Sequence, residues 1–143
     1  MGAIIALAVD ATSRGYSLSG LALAAQGAAQ QAASPLVQKR ANQFFVTLMN
    51  DGSSDIYYTL DSAAVGVNEI SDTAVTAAGG TIGFDALPLS TCQCAKIPAG
   101  VWVDERLDHL TDLTLIVKCA SGKTSTLRFW VSSQSMPGAQ GPY

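Results

Sequence analysis

Apolar residues in this chain recur in short runs cut by turn formers, and the clearest example lies near the C-terminus. Two strand-like runs within 113–131 flank Ala120-Ser121-Gly122-Lys123, where Gly122 supplies the positive φ of a tight hairpin. Upstream, Gln43-Phe-Phe-Val-Thr-Leu-Met49 is a second β-rich run. The dense turn cluster Asn50–Asp55 follows it, and Ile56-Tyr-Tyr-Thr-Leu60 reads as its hairpin partner. Residues 64–70 alternate weakly, 71–80 read as a flexible stretch, and Pro88 and Ser90 mark a turn before Cys92–Ile97. The tetrapeptide Ile97-Pro98-Ala99-Gly100 fits a β-turn with proline second and glycine fourth, and Val101–Leu107 resumes strand character. Short strands separated by turn signals at roughly ten-residue spacing predict an all-β fold, an antiparallel β-sandwich or small barrel.

The N-terminal part has a different texture. Residues 1–9 form an apolar, β-compatible run without polar alternation, and Asp10–Gly15 breaks it. Ser17 or Ser19 is placed to cap a helix over Leu21–Ala33, rich in Ala and Gln and ended by Pro35. Its large apolar residues are Leu18, Leu21 and Leu23 only, and Gly27 weakens it further, so such a helix needs a partner to be stable. The expected organisation is therefore an N-terminal arm, partly helical or extended, over residues 1–41, a β-sandwich domain over 42–135, and a flexible Pro/Gly tail over 136–143. There is no internal repeat.

Composition sharpens this picture. Of 143 residues 48% are hydrophobic and only 13% are charged, about half the usual roughly 25%. A surface so poor in ions suits burial against partners, and a homo-oligomer, a trimer in the first instance, is expected. The net charge of −3 and eight scattered Lys and Arg residues, with Lys39-Arg40 the one adjacent pair, argue against nucleic acid. A membrane role is not expected either: the apolar run 3–9 is far shorter than the roughly 20 residues of a span and carries no basic flank. Ala6 stands where a myristoylation signal needs Ser or Thr. Three cysteines, an odd number, point to free buried thiols in a reducing interior.

Candidate chemistry is sparse, and no catalytic, cofactor-binding or metal-binding residue is assigned. His109 in the acidic segment 104–112 is the one histidine and the one obvious general base, but no nucleophile elbow accompanies it. Cys92 and Cys94 with Cys119 and His109 have the composition of a Cys₃His zinc set without its usual spacing. Asp104, Glu105, Asp108 and Asp112 lack the glycine and ligand spacing of a calcium loop, and Asp51, Asp55 and Asp61 bracket a turn instead. The aromatics Phe44, Phe45, Tyr57, Tyr58, Trp102, Phe129 and Trp130 come largely in adjacent pairs, so one of each pair points away from the core. An outward Trp102 or Tyr57 suits a sugar or a protein partner. The second sheet face is expected to be covered by the arm or by another subunit.

The segments Asn42-Gln-Phe-Phe-Val-Thr-Leu-Met-Asn-Asp-Gly52, Ile56-Tyr-Tyr-Thr-Leu60, Ile97-Pro-Ala-Gly100 and Leu115–Leu127 resemble the β-sandwich cement or decoration proteins of tailed bacteriophages. This resemblance covers about two-thirds of the chain and carries no residue-specific site. It implies a non-enzymatic virion structural protein on the capsid exterior, made in the host cytoplasm. Its partner would be the major capsid protein, whose neighbouring copies it bridges. A tail, neck or fibre-base component, or a carbohydrate- or receptor-binding module, are the alternatives. No cofactor is expected.

Overall fold

The computed structural model describes residues 4–18, 20–21, 44–62, 69–80, 82–87, 92–107 and 113–132. Among the described residues, eight strands form two four-stranded sheets. They are β1 (Ile5–Val9), β2 (Arg14–Ser17), β3 (Phe44–Asn50), β4 (Ile56–Ser62), β5 (Ala95–Ile97), β6 (Trp102–Leu107), β7 (Leu113–Cys119) and β8 (Ser125–Ser132). The first sheet has the order β1-β8-β3-β6 and the second β2-β7-β4-β5, with every neighbour antiparallel. This is the connectivity of a jelly roll. The expected all-β antiparallel sandwich is thus the observed fold.

The core lies between the sheets, where alternate residues of both meet. Val46, Leu48, Leu127 and Phe129 of the first sheet face Ile56, Ile97, Leu115 and Val117 of the second, all fully buried. Both expected hairpins are corrected by this topology. β3 and β4 lie in opposite sheets, as do β7 and β8, so the turns at 51–55 and 120–124 arch across the core. Gly122 does take positive φ, at +74°, and the Lys123 N–H closes the turn onto the Ala120 carbonyl at 3.0 Å. Two strands with alternating apolar residues bury the same positions whether they pair through backbone hydrogen bonds or face each other through side chains, and local pattern does not separate these outcomes.

The expected boundary at residue 41/42 also needs correction. β1 is an edge strand of the first sheet, paired Ile5–Phe129 through Val9–Ser125, and β2 is an edge strand of the second, paired with β7. Val9 and Leu18 are core residues, with Ile5, Leu7 and Tyr16 packed against them. The alternation in β1 is one of size: Ile5, Leu7 and Val9 point inward while Ala6 and Ala8 are exposed. Alanine counts as apolar, which hides the period of two. Ser17 caps a helical turn from Leu18, its Oγ accepting from the Gly20 N–H at 3.3 Å. The rest of the expected helix, 22–33, lies outside the described residues, as do 34–43 and the tail.

The segment 71–80, expected to be flexible, contains α1 (Asp72–Ala78). Ser71 caps it by accepting from the Ala74 N–H at 3.1 Å, and Ala74, Val75 and Ala77 are buried. α1 lies on the outer face of the second sheet, over Tyr57 and Ile116, in a satellite core that also includes Ile70 and Cys94. Lys118, facing out from the same sheet, is buried beside it and pairs with Asp72 at 2.9 Å. Among the described residues the cover of this face is α1; the arm residues 22–43, expected to cover a sheet face, lie outside them. Seven residues are too few for a helical period to declare itself.

Candidate interaction face

The tight turns gather at one end of the sandwich, and Asn50 organises them. Its side chain is fully buried and makes four hydrogen bonds. Nδ2 donates to the Ser54 carbonyl at 2.7 Å and the Ile97 carbonyl at 2.8 Å. Oδ1 accepts from the Gly52 N–H at 3.1 Å and from Ser125 Oγ at 2.5 Å. Its own backbone bonds Val101 and Gly100, and the Asp51 N–H donates to Thr126. Gly52 is sterically required here, since a Cβ would stand 2.0 Å from Ser125 Oγ and 2.7 Å from the Thr126 nitrogen.

This hub holds the turn that presents Trp102. The turn is one residue later than its sequence suggests: the Val101 N–H bonds the Pro98 carbonyl at 3.1 Å, which puts Gly100, at φ +80°, third. A glycine at the third position of a type II turn supplies the positive φ. Val101 and Trp102 emerge exposed, Trp102 at 61%. Along β6 the side chains then alternate, with Trp102, Asp104 and Arg106 outward and Val103, Glu105 and Leu107 toward the interior.

Register places Trp102 in a row that crosses the whole first sheet. Ala6 pairs with Arg128, Arg128 with Met49, and Met49 with Trp102. The adjacent row runs Trp130–Thr47–Asp104, so both tryptophans of the chain lie on this outer face. Two of its charged groups have side-chain partners: Arg128 pairs with Asp51 at 2.5 Å, and Asp104 accepts from Thr47 Oγ1 at 2.6 Å. Trp102 was marked by sequence as a candidate outward aromatic. Met49, Ala6 and Ala8 belong to the same surface and carry no signal of it until strand order is known.

A second concave feature lies beside the three-residue β5, which pairs with β4 at Ile56, Tyr57 and Tyr58. A cleft of about 320 Å³ is lined by Tyr58, Thr59, Leu60, Gln93, Cys94, Ala95 and Glu105. Tyr58 Oη donates to Glu105 Oε1 at 2.5 Å, joining the two sheets. Burial and this carboxylate acceptor hold the Tyr58 phenol above its ordinary range, which makes it a poor base or nucleophile at neutral pH.

The remaining sequence candidates are dispersed. Tyr57 is buried under α1 and unavailable to a ligand. Cys94 belongs to the satellite core and Cys119 to the main one, on opposite faces of the second sheet, so they do not converge on one metal. Among the described residues no three His, Cys, Asp or Glu side chains form a metal-holding group. Asp104 and Glu105 point to opposite sides of β6. His109, Asp108 and Asp112 lie outside the described residues. No described helix is long and apolar enough to cross a membrane.

Burial pushes the Cys94 and Cys119 thiols up to about 11. Both remain protonated in the fold at pH values where an unfolded chain ionises them. Their stabilising effect is full below the unfolded value and is lost as pH rises toward 11. Stability is expected to fall above about pH 9 by up to about 1.4 kcal/mol per pH unit per thiol. Denaturant melts between neutral pH and the alkaline limb check this, and a Cys94→Ala/Cys119→Ala variant should flatten the slope.

The chain matches no family model, no curated protein and no solved structure.

Proposed function

We propose that this protein is a non-enzymatic structural component of a virion, a capsid cement protein that bridges neighbouring major capsid proteins and stabilises the shell. The observation that carries the reading is the outer face of the first sheet. It is four strands wide, bears both tryptophans and is anchored by a fully hydrogen-bonded hub. Such a surface favours docking against another protein over turnover of a substrate. Jelly rolls serve viral capsid and lectin domains, among others, a fold-level analogy that supports the reading without carrying it.

The mechanism is distributed burial. Each copy covers a seam between capsid subunits, and association of copies multiplies the hold by avidity. Stoichiometry tests it: quantitative mass spectrometry of purified particles should find the chain in numbers comparable to the major capsid protein. A handful of copies per particle would assign it to a tail, neck or fibre base, and absence would remove the virion reading. The exposure of Trp102 favours one second reading, a carbohydrate- or receptor-binding module with the indole as a stacking platform. Glycan-array binding that is lost in Trp102→Ala would select it.

A further inference from the structure

We infer that β1 is an open sheet edge that pairs antiparallel with β1 of a second copy, joining the two first sheets into one through main-chain hydrogen bonds. This edge is distinct from the outer face given to the capsid partner, which the pairing leaves uncovered, and the inference does not rest on the virion reading.

The first observation is where the backbone of β1 points. The Asp51 N–H donates to the Thr126 carbonyl at 2.8 Å, so Thr126 turns its backbone groups toward β3. Its pair with Ala8 is then one that exchanges no hydrogen bonds. Asn50 donates its N–H to the Val101 carbonyl and accepts from the Gly100 N–H, so Leu127, opposite it, turns instead to β1 and bonds Leu7. Backbone groups alternate in direction along a strand, so the N–H and C=O of Ala6 and Ala8 point out of the sheet. Among the described residues the strand order places nothing beyond them.

The second observation is the lack of protection. A sheet edge is a template for another strand unless charge, proline or a bulge blunts it. β2 carries Arg14, β5 carries Lys96 and is followed by Pro98, and β6 carries Asp104, Glu105 and Arg106. β1, Ile5-Ala-Leu-Ala-Val9, carries no charge, and Ile4 extends its apolar run while 49% exposed.

The third selects the occupant. β1 shows the same order of side-chain size in either direction: β-branched, Ala, Leu, Ala, β-branched. An antiparallel pair about a two-fold axis at Leu7 therefore sets Ile5 against the partner's Val9 and Leu7 against the partner's Leu7. Ala6 faces the partner's Ala8, the two exchange both main-chain bonds, and the axis repeats them. Self-complementarity of this kind is what an isologous contact requires. The inward Ile5 and Leu7, only partly buried at the bare edge, gain apolar cover. In strand addition main-chain hydrogen bonds carry the affinity and side-chain fit sets the register.

Amide hydrogen exchange and sedimentation of the full chain over a range of concentrations test this. The mass should pass from 14.8 kDa toward twice that value. The Ala6 and Ala8 amides should exchange fast in dilute protein and slow as the dimer forms, while the Leu7 amide is protected by β8 throughout. Ala8→Pro removes an outward donor that β8 does not use, a place where an edge strand tolerates proline. It should weaken association at least about tenfold, because every pair then lacks a donor from each copy, with little change in the thermal melt. If Ala8→Pro does not fold, Ala6→Lys/Ala8→Lys takes its place. That variant sets like charges across the seam, and mixing it with Ala6→Glu/Ala8→Glu should restore a mixed dimer that neither forms alone. A chain that stays monomeric, a trimer, a dimer indifferent to these substitutions, or no recovery on mixing would each overturn the proposal. So would Ala6 and Ala8 amides protected at every dilution, since a segment of the same chain would then cover the edge. A dimer from a protein that particles lack would leave this edge standing and remove only the virion reading.

Discussion

Asn50→Ala is expected to lower stability by about 3–5 kcal/mol, the range for breaking a buried polar network. Truncation removes both donors from the Ser54 and Ile97 carbonyls, and the acceptor from the Gly52 N–H and Ser125 hydroxyl. Each partner is held where water reaches it poorly, so the loss is a set of unmet groups rather than one bond. For a chain of this size the melting temperature should fall by roughly 10–15 °C. Gly52→Ala should be at least as damaging, because the added methyl meets the Thr126 backbone nitrogen and the Ser125 Cα as well as a movable hydroxyl. Differential scanning calorimetry decides both. A melt within about 1 kcal/mol of wild type for either variant would mean that the turn end is not the rigid support described for Trp102.

Deleting residues 1–18 should abolish cooperative folding. The deletion strips an edge strand from each sheet and removes Val9 and Leu18 from the core, together with the partly buried Ile5, Leu7 and Tyr16. At about 1.5–3 kcal/mol per buried apolar side chain, the lost burial is on the order of 5–10 kcal/mol. That is comparable to the whole net stability of an ordinary domain, about 5–15 kcal/mol. It also leaves the β7 and β8 edges unpaired and prone to aggregation. Loss of near-ultraviolet circular dichroism and of a sharp melt is the expected result. A truncated chain that melts cooperatively would restore the view of residues 1–41 as an appendage to an independent domain.

Strand content was legible in the sequence because β-branched and aromatic runs and their turn residues are local features. Strand partnership was not. The arch at 51–55 and a hairpin at the same place ask the same things of their residues, and the difference lies in contacts far along the chain, such as Phe45–Ser132 and Ile56–Cys119. β1 was hidden by its own economy of size, since Ala6 and Ala8 read as apolar although they face outward. Trp102 stood out as an aromatic next to a turn, but its surface did not: Met49, Trp130 and Ala6 become its neighbours only through the order β1-β8-β3-β6. Asn50 looked like one turn residue among several. Its importance comes from Ile97 and Ser125, 47 and 75 positions away.

Heat-driven release of DNA tests the proposed cement role most directly. Particles assembled without this protein should release DNA at a lower temperature than complete particles, and adding back the purified chain should restore the higher value. Equal release temperatures with and without the protein, measured on particles of equal DNA content, would contradict it.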